Sequence, residues 1–414
     1  MAAPRLRGRR PIASEVPLYA APRIAFVGRD KQVHVIGVDG VGLRQVTFPK
    51  AAGPMVRWGG RSGDDHWSWP SWSPDGRWLS CFQGAGSDEV QGAAAVYAIE
   101  VDGVEERQLC TFDGQVPIYA RWSPQGRNLA VLVQDEDELQ LSVCGVERLG
   151  ARRVVDEGVP LFFSWTPQGE RLVVHVGSRR DHHGRLVVRD PLGTSEDLLF
   201  GDTPGSFCTP VLLGDDVVYV VNEEGGGSVV TVAGVDGRDP VPLIKLEGLL
   251  AVVPSPLGDR VAVGAAPRGE STPYKGVWVA SRGQEPRQVA RGDCAAFFWT
   301  PDGQRLIYTV VEVDRASMSW WIVSADGGEP RRLGGFWPSR DQLFFVHFFE
   351  QYAGSHSLIS PDGRLLVYSS HPAPTDEGDD RSALIYVIEL DAAEPTPRPI
   401  AEGSFAVFAP PPLV

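Results

Sequence analysis

The sequence predicts an all-β fold, an eight-bladed β-propeller of four-stranded antiparallel blades, and three observations carry this prediction. Variants of a Trp-Ser-Pro-x-Gly turn recur along the chain, with their glycines 43 to 60 residues apart. Two short runs of β-branched and aromatic residues follow each turn, and an Asp-Gly turn often closes the second run. The two ends of the chain each supply part of one repeat. Such a period is typical of propeller blades. The turn glycines are Gly76, Gly126, Gly169, Gly214, Gly258, Gly303 and Gly363.

Each repeat reads as four strands, A to D, and the recurrent turn joins strands A and B. The first clear copy runs from Trp72 to Gly76, and strand B follows from Trp78. The glycine is needed because one turn residue must adopt positive φ, and proline presets the preceding bend. A residue at a fixed repeat position usually belongs to the packing between repeats. We therefore expect interblade packing for the tryptophans before the turns, which are Trp72, Trp122, Trp165 and Trp299.

Strands C and D complete each blade, and the two chain ends share one blade. Strand C is clear at residues 96–99, before Asp102-Gly103, and strand D follows at residues 107–111. Residues 24–47 supply strands B, C and D without strand A, whereas residues 404–408 look like a strand A with nothing after it. Pairing of these ends would close the ring and leave no exposed sheet edge.

The domain prediction is one propeller at residues 23–410, with a tail at 1–22, an aromatic insertion at 334–357 and a second tail at 411–414. The copy at Gly214 lacks the tryptophan and the proline but keeps a strand pattern at residues 216–221. We count it as a blade. A seven-bladed ring is the alternative if it is not one.

Composition excludes some partners and suggests a compartment. The formal net charge of −14 argues against a nucleic-acid partner, because phosphate binding depends on clustered Lys and Arg. Five cysteines stand singly without metal-ligand spacing, which favours free thiols in a reducing compartment. Residues 1–22 carry four arginines and no apolar run of signal-peptide length. We expect a cytoplasmic protein, or a periplasmic or extracellular one if the true start differs.

The repeated turn, a strand and then an Asp-Gly turn resemble TolB-like propellers of the WD40-like Pro-Asp repeat family. They also resemble the N-terminal propeller of prolyl-oligopeptidase-type peptidases. Residues 72–76, 299–303 and 360–363 carry the resemblance, which extends over residues 24–408. It implies a propeller that binds another protein or gates access to a catalytic domain. No Gly-x-Ser-x-Gly motif occurs, so we do not expect peptidase activity.

Loop lengths predict one plain face and one elaborated face. In an A-B-C-D meander the A–B and C–D turns lie on one face, and the B–C and D–A connections lie on the other. The first class is short, whereas long connections fall in the second, and loops carry function on such scaffolds. The long connections are residues 48–70, 83–94, 177–184, 222–228, 266–276, 334–357 and 371–382.

Residues 336–352 are the least blade-like segment. Ser339 after Pro338 can cap a helix. Four aromatic residues of that helix would then share one face, but Phe344 and Val346 leave apolar surface elsewhere. The helix either covers the mouth of the central channel or docks a partner. The candidate binding residues are Trp337, Phe344, Phe345, His347, Phe348, Tyr352 and Trp67.

A metal site is a further candidate, although no known ligand spacing supports it. The candidate ligands are Asp64, His66, Asp181 and His183. No other cofactor is expected. Two functions follow from these observations. The first is a non-catalytic scaffold that binds a protein partner through the long-loop face. The alternative is an enzyme or small-ligand binder for a carbohydrate or peptide, possibly metal-dependent, at the channel mouth.

Overall fold

Antiparallel strands make up most of the protein, and they form a β-propeller of four-stranded sheets, as predicted. The computed structural model describes residues 21–49, 65–85, 94–177, 184–200, 208–223, 227–267, 269, 272–373 and 382–411. No helix in these ranges is long and apolar enough to cross a membrane.

Four sheets are built from four consecutive strands each. The first two sheets contain β4 (Asp65–Trp72), β5 (Trp78–Ala85), β6 (Ala94–Glu100), β7 (Glu106–Phe112), β8 (Val116–Trp122), β9 (Asn128–Asp135), β10 (Glu138–Gly145) and β11 (Arg152–Gly158). The next two contain β12 (Leu161–Trp165), β13 (Leu172–Val176), β14 (Arg185–Arg189), β15 (Leu198–Phe200), β16 (Val211–Leu213), β17 (Asp216–Asn222), β18 (Gly227–Ala233) and β19 (Val241–Glu247). The degenerate repeat at Gly214 therefore is a four-stranded sheet, as expected.

The remaining 13 strands form one continuous hydrogen-bonded series, in the order β20 to β29 and then β1 to β3. They are β20 (Leu249–Pro254), β21 (Val261–Ala266), β22 (Tyr274–Ala280), β23 (Arg287–Trp299), β24 (Arg305–Glu312), β25 (Ser317–Ser324), β26 (Arg331–Pro338), β27 (Leu365–His371), β28 (Leu384–Glu389), β29 (Arg398–Phe408), β1 (Arg23–Gly28), β2 (Val33–Gly37) and β3 (Arg44–Gln45). Strands β23, β26 and β29 are shared, because each starts as strand D of one unit and continues as strand A of the next.

The two ends of the chain pair with each other. Strand β29 runs antiparallel to β1, with Phe408 opposite Ile24 and Phe405 opposite Val27. The expected strand A near the C-terminus thus lies beside the N-terminal strands. The count of eight blades and the closure of the ring stay predictions of the sequence.

The A–B turns have the predicted chemistry. All seven turn glycines have φ between 63° and 70°, which is the left-handed region. The tryptophans before the turns pack between units, as expected, and each indole N–H donates to a backbone carbonyl of the preceding strand A. The pairs are Trp72 with Val407, Trp122 with Ser71, Trp165 with Arg121 and Trp299 with Val253, at 3.4, 3.1, 3.1 and 3.0 Å.

Arginines also link neighbouring units on this short-turn face. In three places one guanidinium donates both to the carbonyl of the next unit's turn glycine and to an Asp in its C–D turn. Such forked recognition suits arginine rather than lysine. The sets are Arg23 with Gly76 and Asp102, Arg260 with Gly303 and Asp326, and Arg305 with Gly363 and Asp391.

Most of the predicted long connections fall partly outside the described residues. These parts are residues 50–64, 86–93, 178–183, 224–226, 268, 270–271 and 374–381. The acidic run at residues 135–138 forms a tight hairpin between β9 and β10. The tails at 1–20 and 412–414 are likewise outside the described part.

The aromatic insertion starts later than predicted. Strand β26 continues past Gly334 to Pro338, because its residues pair first with β25 and then with β27. The chain then forms helices α1 (Arg340–His347) and α2 (Phe349–Tyr352). It rejoins β27 at Leu358 and Ile359. The insertion therefore splits strand A of its unit at residues 339–357, rather than at 334–357.

A short 3₁₀ helix also occurs at Val313–Arg315.

Candidate functional site

Helix α1 begins at the residue that the sequence indicated. The Ser339 hydroxyl accepts a hydrogen bond from the Gln342 backbone N–H at 3.1 Å, which satisfies one of the free donors of the first turn. The helix ends at Phe348, whose φ of −110° and ψ of 25° are not helical, and α2 follows directly. The break rotates the later residues relative to α1.

One side of the two helices fills the space enclosed by the first strands of the units. Phe345, Phe349 and Tyr352 are at most 2% exposed. The Phe345 ring stacks on Phe298 at 5.6 Å between centroids, and Phe349 lies 4.8 Å from Phe297. Tyr352 packs edge-on against Tyr119 at 4.9 Å. The expectation that the insertion covers the central channel is therefore met on this side.

Polar side chains of the insertion satisfy backbone groups at the inner edges of the strands. Gln351 accepts from the Phe163 N–H at 3.4 Å and donates to the Phe163 carbonyl at 3.0 Å. The Gln342 amide oxygen accepts from the Ser369 N–H at 3.0 Å, in a stretch where strand A is interrupted. The Tyr352 hydroxyl donates to the carbonyl of Ile118 at 2.6 Å. These bonds matter because unpaired buried backbone groups are costly.

Glu350 is the one carboxylic acid among these anchors. Its carboxylate accepts from the Val252 N–H at 3.4 Å and from the Tyr274 hydroxyl at 3.5 Å. Burial raises the pKa of the Glu350 carboxyl to about 8, and hydrogen bonds from Val252, Thr209 and Tyr274 only partly offset this effect. The residue as a whole is partly exposed while its carboxyl group is enclosed. Glu350 is therefore mostly protonated at neutral pH.

The opposite side of α1 is open at the channel mouth. Leu343, Phe344 and Phe348 are 47%, 38% and 43% exposed, and His347 between them is exposed as well. The Phe344 and Phe348 rings touch at 4.7 Å between centroids, and the His347 ring meets Phe348 edge-on at 4.7 Å. We call Leu343, Phe344, His347 and Phe348 the mouth patch. Phe348 was expected to share one face with Phe345, Phe349 and Tyr352, but the helix break at this residue turns it away from them.

Trp69 supports the mouth patch from strand β4, which belongs to a different unit from the insertion. Strand β4 has a bulge between Ser68 and Ser71, and Trp69 within it has φ of 50°. A positive φ is rare for a bulky residue and often marks a functional or strained position. The bulge directs the Trp69 ring to 5.3 Å from Phe344 and 5.1 Å from Tyr352.

The structure separates the predicted binding residues into two groups. Phe345, Tyr352 and Trp67 are buried, because the first two line the channel and Trp67 packs on Tyr97 at 5.0 Å. Trp337 is half-buried and pairs with His371. The accessible members are Phe344, His347 and Phe348. These three, with Leu343, which sequence reasoning missed, are the residues that a partner can reach.

The candidate metal ligands are mostly outside the described residues. Asp64, Asp181 and His183 fall there. His66 lies on β4, where its ring is packed over Gly84. Within the described ranges, no three His, Cys, Asp or Glu side chains are grouped so as to hold a metal ion.

A groove of about 920 Å³ lies on the short-turn face between the units of β8–β11 and β12–β15. The short A–B and C–D turns predicted that this face would be plain. The guanidinium groups of Arg127 and Arg148 line the groove without a hydrogen bond or ion pair to any described residue, but Glu147 and Glu170 line it too. Because the charges are mixed, the groove does not indicate a ligand of one sign.

Comparisons with known proteins support the fold. No family model and no curated protein matches the chain. The β-propeller domain of the Trilobed protease from Pyrococcus furiosus is 12% identical, with a TM-score of 0.50 over 82% of this chain and 98% of that chain. A prolyl endopeptidase structure is 15% identical, with a TM-score of 0.56 over 84% of this chain and 50% of that one. This chain therefore spans half the length of that peptidase.

TolB from Acinetobacter baumannii is 15% identical over 77% of this chain and 67% of that chain, with a TM-score of 0.38. The first two structures carry the fold assignment. At these identities the likeness concerns fold alone, and within that limit the expectation is confirmed: the chain is a β-propeller, as in the Trilobed protease and prolyl endopeptidase structures.

Proposed function

We propose that the protein is a non-catalytic propeller scaffold that binds a partner protein through the mouth patch. The observation that carries this proposal is the exposure of Leu343, Phe344 and Phe348 side by side on a helix fixed in the channel. The proposed ligand of the mouth patch is a partner protein that places an apolar side chain beside the Phe344 and Phe348 rings.

The anchoring of the insertion supports binding at this surface. Phe345, Gln351 and Tyr352 hold the helices from below through packing and backbone hydrogen bonds. A surface that is already ordered loses little conformational entropy on binding, so more of the interaction energy appears as affinity. Aromatic residues at the centre of an interface commonly dominate its energy.

The filled channel favours a surface-binding role over a gating role. Phe345, Phe349 and Tyr352 occupy the space that a substrate would have to cross in a gating propeller. The acidic hairpin at residues 135–138 lies on the long-loop face, so a basic rim around the apolar contact of the partner would be complementary.

The test is a binding measurement with matched variants. The tagged protein is used to isolate partners from the native lysate, and a recovered partner is then purified and titrated by calorimetry. Phe344→Asp and Phe348→Asp should each weaken binding at least about tenfold, because a buried apolar contact is replaced by a desolvated charge. Leu257→Asp is the control, since Leu257 is 58% exposed in an A–B turn on the other face.

Equal affinity for the two Phe variants and the wild type would refute the mouth patch as the binding site. Self-association of the wild-type chain that is lost in Phe348→Asp would also refute a separate partner protein. Light scattering after size-exclusion chromatography distinguishes that case.

We further propose the cytoplasm as the compartment, because all five cysteines are free thiols, which is usual in a reducing compartment. Fractionation of native cells tests this location. Recovery of the protein in the periplasmic or secreted fraction would overturn it.

The alternative function is an enzyme or small-ligand binder at the channel mouth. One observation favours it, namely the buried Glu350 carboxyl with its raised pKa, since such groups often serve as general acids. The candidate cation site with His66 belongs to the same alternative. Metal analysis of purified protein decides it: one equivalent of a divalent cation that His66→Ala abolishes would support this function, and a metal-free wild-type protein would contradict its metal-dependent form.

A further inference from the structure

Two cysteines on neighbouring units face each other in the core. Cys110 lies on β7 and Cys144 on β10, and their sulfur atoms are 2.7 Å apart. Both are buried, at 4% and 0% exposure, in one hydrophobic cluster with Trp78 and Trp122. The other three cysteines, Cys81, Cys208 and Cys294, are buried elsewhere without a sulfur partner. We call Cys110 and Cys144 the thiol pair.

Two hydrogen bonds between the units hold the chain segments that flank the thiol pair. The Gly150 N–H donates to the Leu109 carbonyl at 3.1 Å, one residue before Cys110. The Arg107 guanidinium donates to the Val146 carbonyl at 3.4 Å, two residues after Cys144. The sheets β4–β7 and β8–β11 share no strand pairing, so they meet here mainly through side chains. A bond between the sulfurs would be a covalent link between two blades.

We propose that Cys110 and Cys144 are a modification site and form a disulfide by exchange with a small-molecule disulfide such as oxidised glutathione. The thiolate of one cysteine attacks a glutathione sulfur, which forms a mixed disulfide and releases one glutathione thiolate. The second cysteine thiolate then attacks the mixed disulfide and releases the other glutathione. Two cysteine protons are lost, one sulfur–sulfur bond forms in the protein, and one glutathione disulfide is reduced to two thiols.

The environment of the thiol pair determines when the exchange occurs. The neighbouring Cys144 thiol and burial hold the pKa of the Cys110 thiol well above its ordinary value. Thiolate is the reactive form, so the closed protein exchanges slowly and the bond forms while the two blades are still coming together. In a reducing compartment the pair stays as two thiols, and in an oxidising one it becomes a permanent link.

The experiment counts thiols in full-length protein that folds under defined redox conditions. The chain is synthesised in a cell-free system, either with a glutathione redox buffer or with dithiothreitol, then denatured in an alkylating reagent and weighed by mass spectrometry. We expect three alkylated cysteines in the first case and five in the second. Peptide mapping should recover the linked peptides of Cys110 and Cys144. The oxidised protein should melt about 4 °C higher, because the link restricts the unfolded chain.

Two single variants serve as matched controls. Cys294→Ala should retain the link and the higher melting temperature, with two alkylated cysteines. Cys110→Ala should show four alkylated cysteines under both conditions and no shift. Five alkylated cysteines in the oxidised wild-type protein, or a disulfide between any other pair, would overturn the proposal. The count on the wild-type chain does not depend on how well either variant folds.

Discussion

Replacement of Glu350 by glutamine should change the pH dependence of stability. The wild-type carboxyl is enclosed between Val252 and Tyr274, where burial raises its pKa from 4.5 to about 8. Between these two values the unfolded chain releases the proton but the folded protein keeps it. Stability therefore falls as pH rises from about 4.5 to about 8. Glutamine keeps one carbonyl oxygen to accept from the Val252 N–H, and its amide group can donate to the Tyr274 hydroxyl oxygen, but it has no proton to lose.

The magnitude follows from the size of the pKa shift. The folded value of about 8 lies well above the ordinary 4.5. Since each pKa unit corresponds to about 1.4 kcal/mol, the wild-type protein should lose on the order of 5 kcal/mol through this group by pH 8. Glu350→Gln should match the wild type near pH 4.5 and exceed its free energy of unfolding by that order at pH 8.

The assay is urea unfolding of both proteins at pH 5, 6.5 and 8. Other groups titrate in this range, and burial lowers the pKa of His175 and of His356, the latter to about 3. These histidines reduce stability as pH falls below 6.5, which opposes the Glu350 effect in the wild-type curve. They act equally in both proteins, so the difference between the two curves isolates Glu350.

Glu136→Gln is the control, because Glu136 is exposed in the β9–β10 turn. Its curve should run parallel to that of the wild type. If the Glu350→Gln curve also runs parallel to the wild-type curve from pH 5 to pH 8, the carboxyl is not held neutral by burial and the reasoning fails.

Three further predictions concern stability, and chemical denaturation measures each. Phe345→Ala should destabilise the protein by about 3–5 kcal/mol because Phe345 is fully buried. Phe344→Ala, at the exposed mouth, should lower the free energy of unfolding by less than about 1 kcal/mol. Equal losses in the two variants would contradict the orientation of α1. Gln351→Ala should cost about 2 kcal/mol by leaving two backbone groups of one strand unpaired, while Gln351→Glu should not restore the lost donor. Gly76→Ala should cost about 1–2 kcal/mol because φ is 66° although there is room for a methyl group; no loss would show that the turn relaxes.

The blades could be predicted from the sequence because their signals are local. The turn at Gly76 needs residues with particular φ preferences within a few positions, so it recurs visibly at each repeat. The cap at Ser339 is equally local and was found where expected. The start of the insertion was placed too early, at Gly334, because pairing with two different strands extends β26 to Pro338 and such pairing is remote in sequence.

The site could be predicted only in part, because its decisive contacts are remote in sequence. The aromatic segment was identified, but the break at Phe348 reversed the direction of that ring. No sequence motif marks Glu350, because its partners Val252 and Tyr274 are 98 and 76 residues away. Cys110 and Cys144 are 34 residues apart on different sheets, and spacing alone does not reveal their contact.

The helical insertion also bears on how the protein unfolds. In a repeat array each unit touches only its neighbours, so single units can melt separately. Here Phe345, Gln351 and Tyr352 tie strands of several different units to one central element. Unfolding of any one of these units would remove some of the contacts that hold the insertion. The insertion would then stabilise the remaining units less. Unfolding should therefore be a single cooperative transition, because these units share the insertion as a common packing partner.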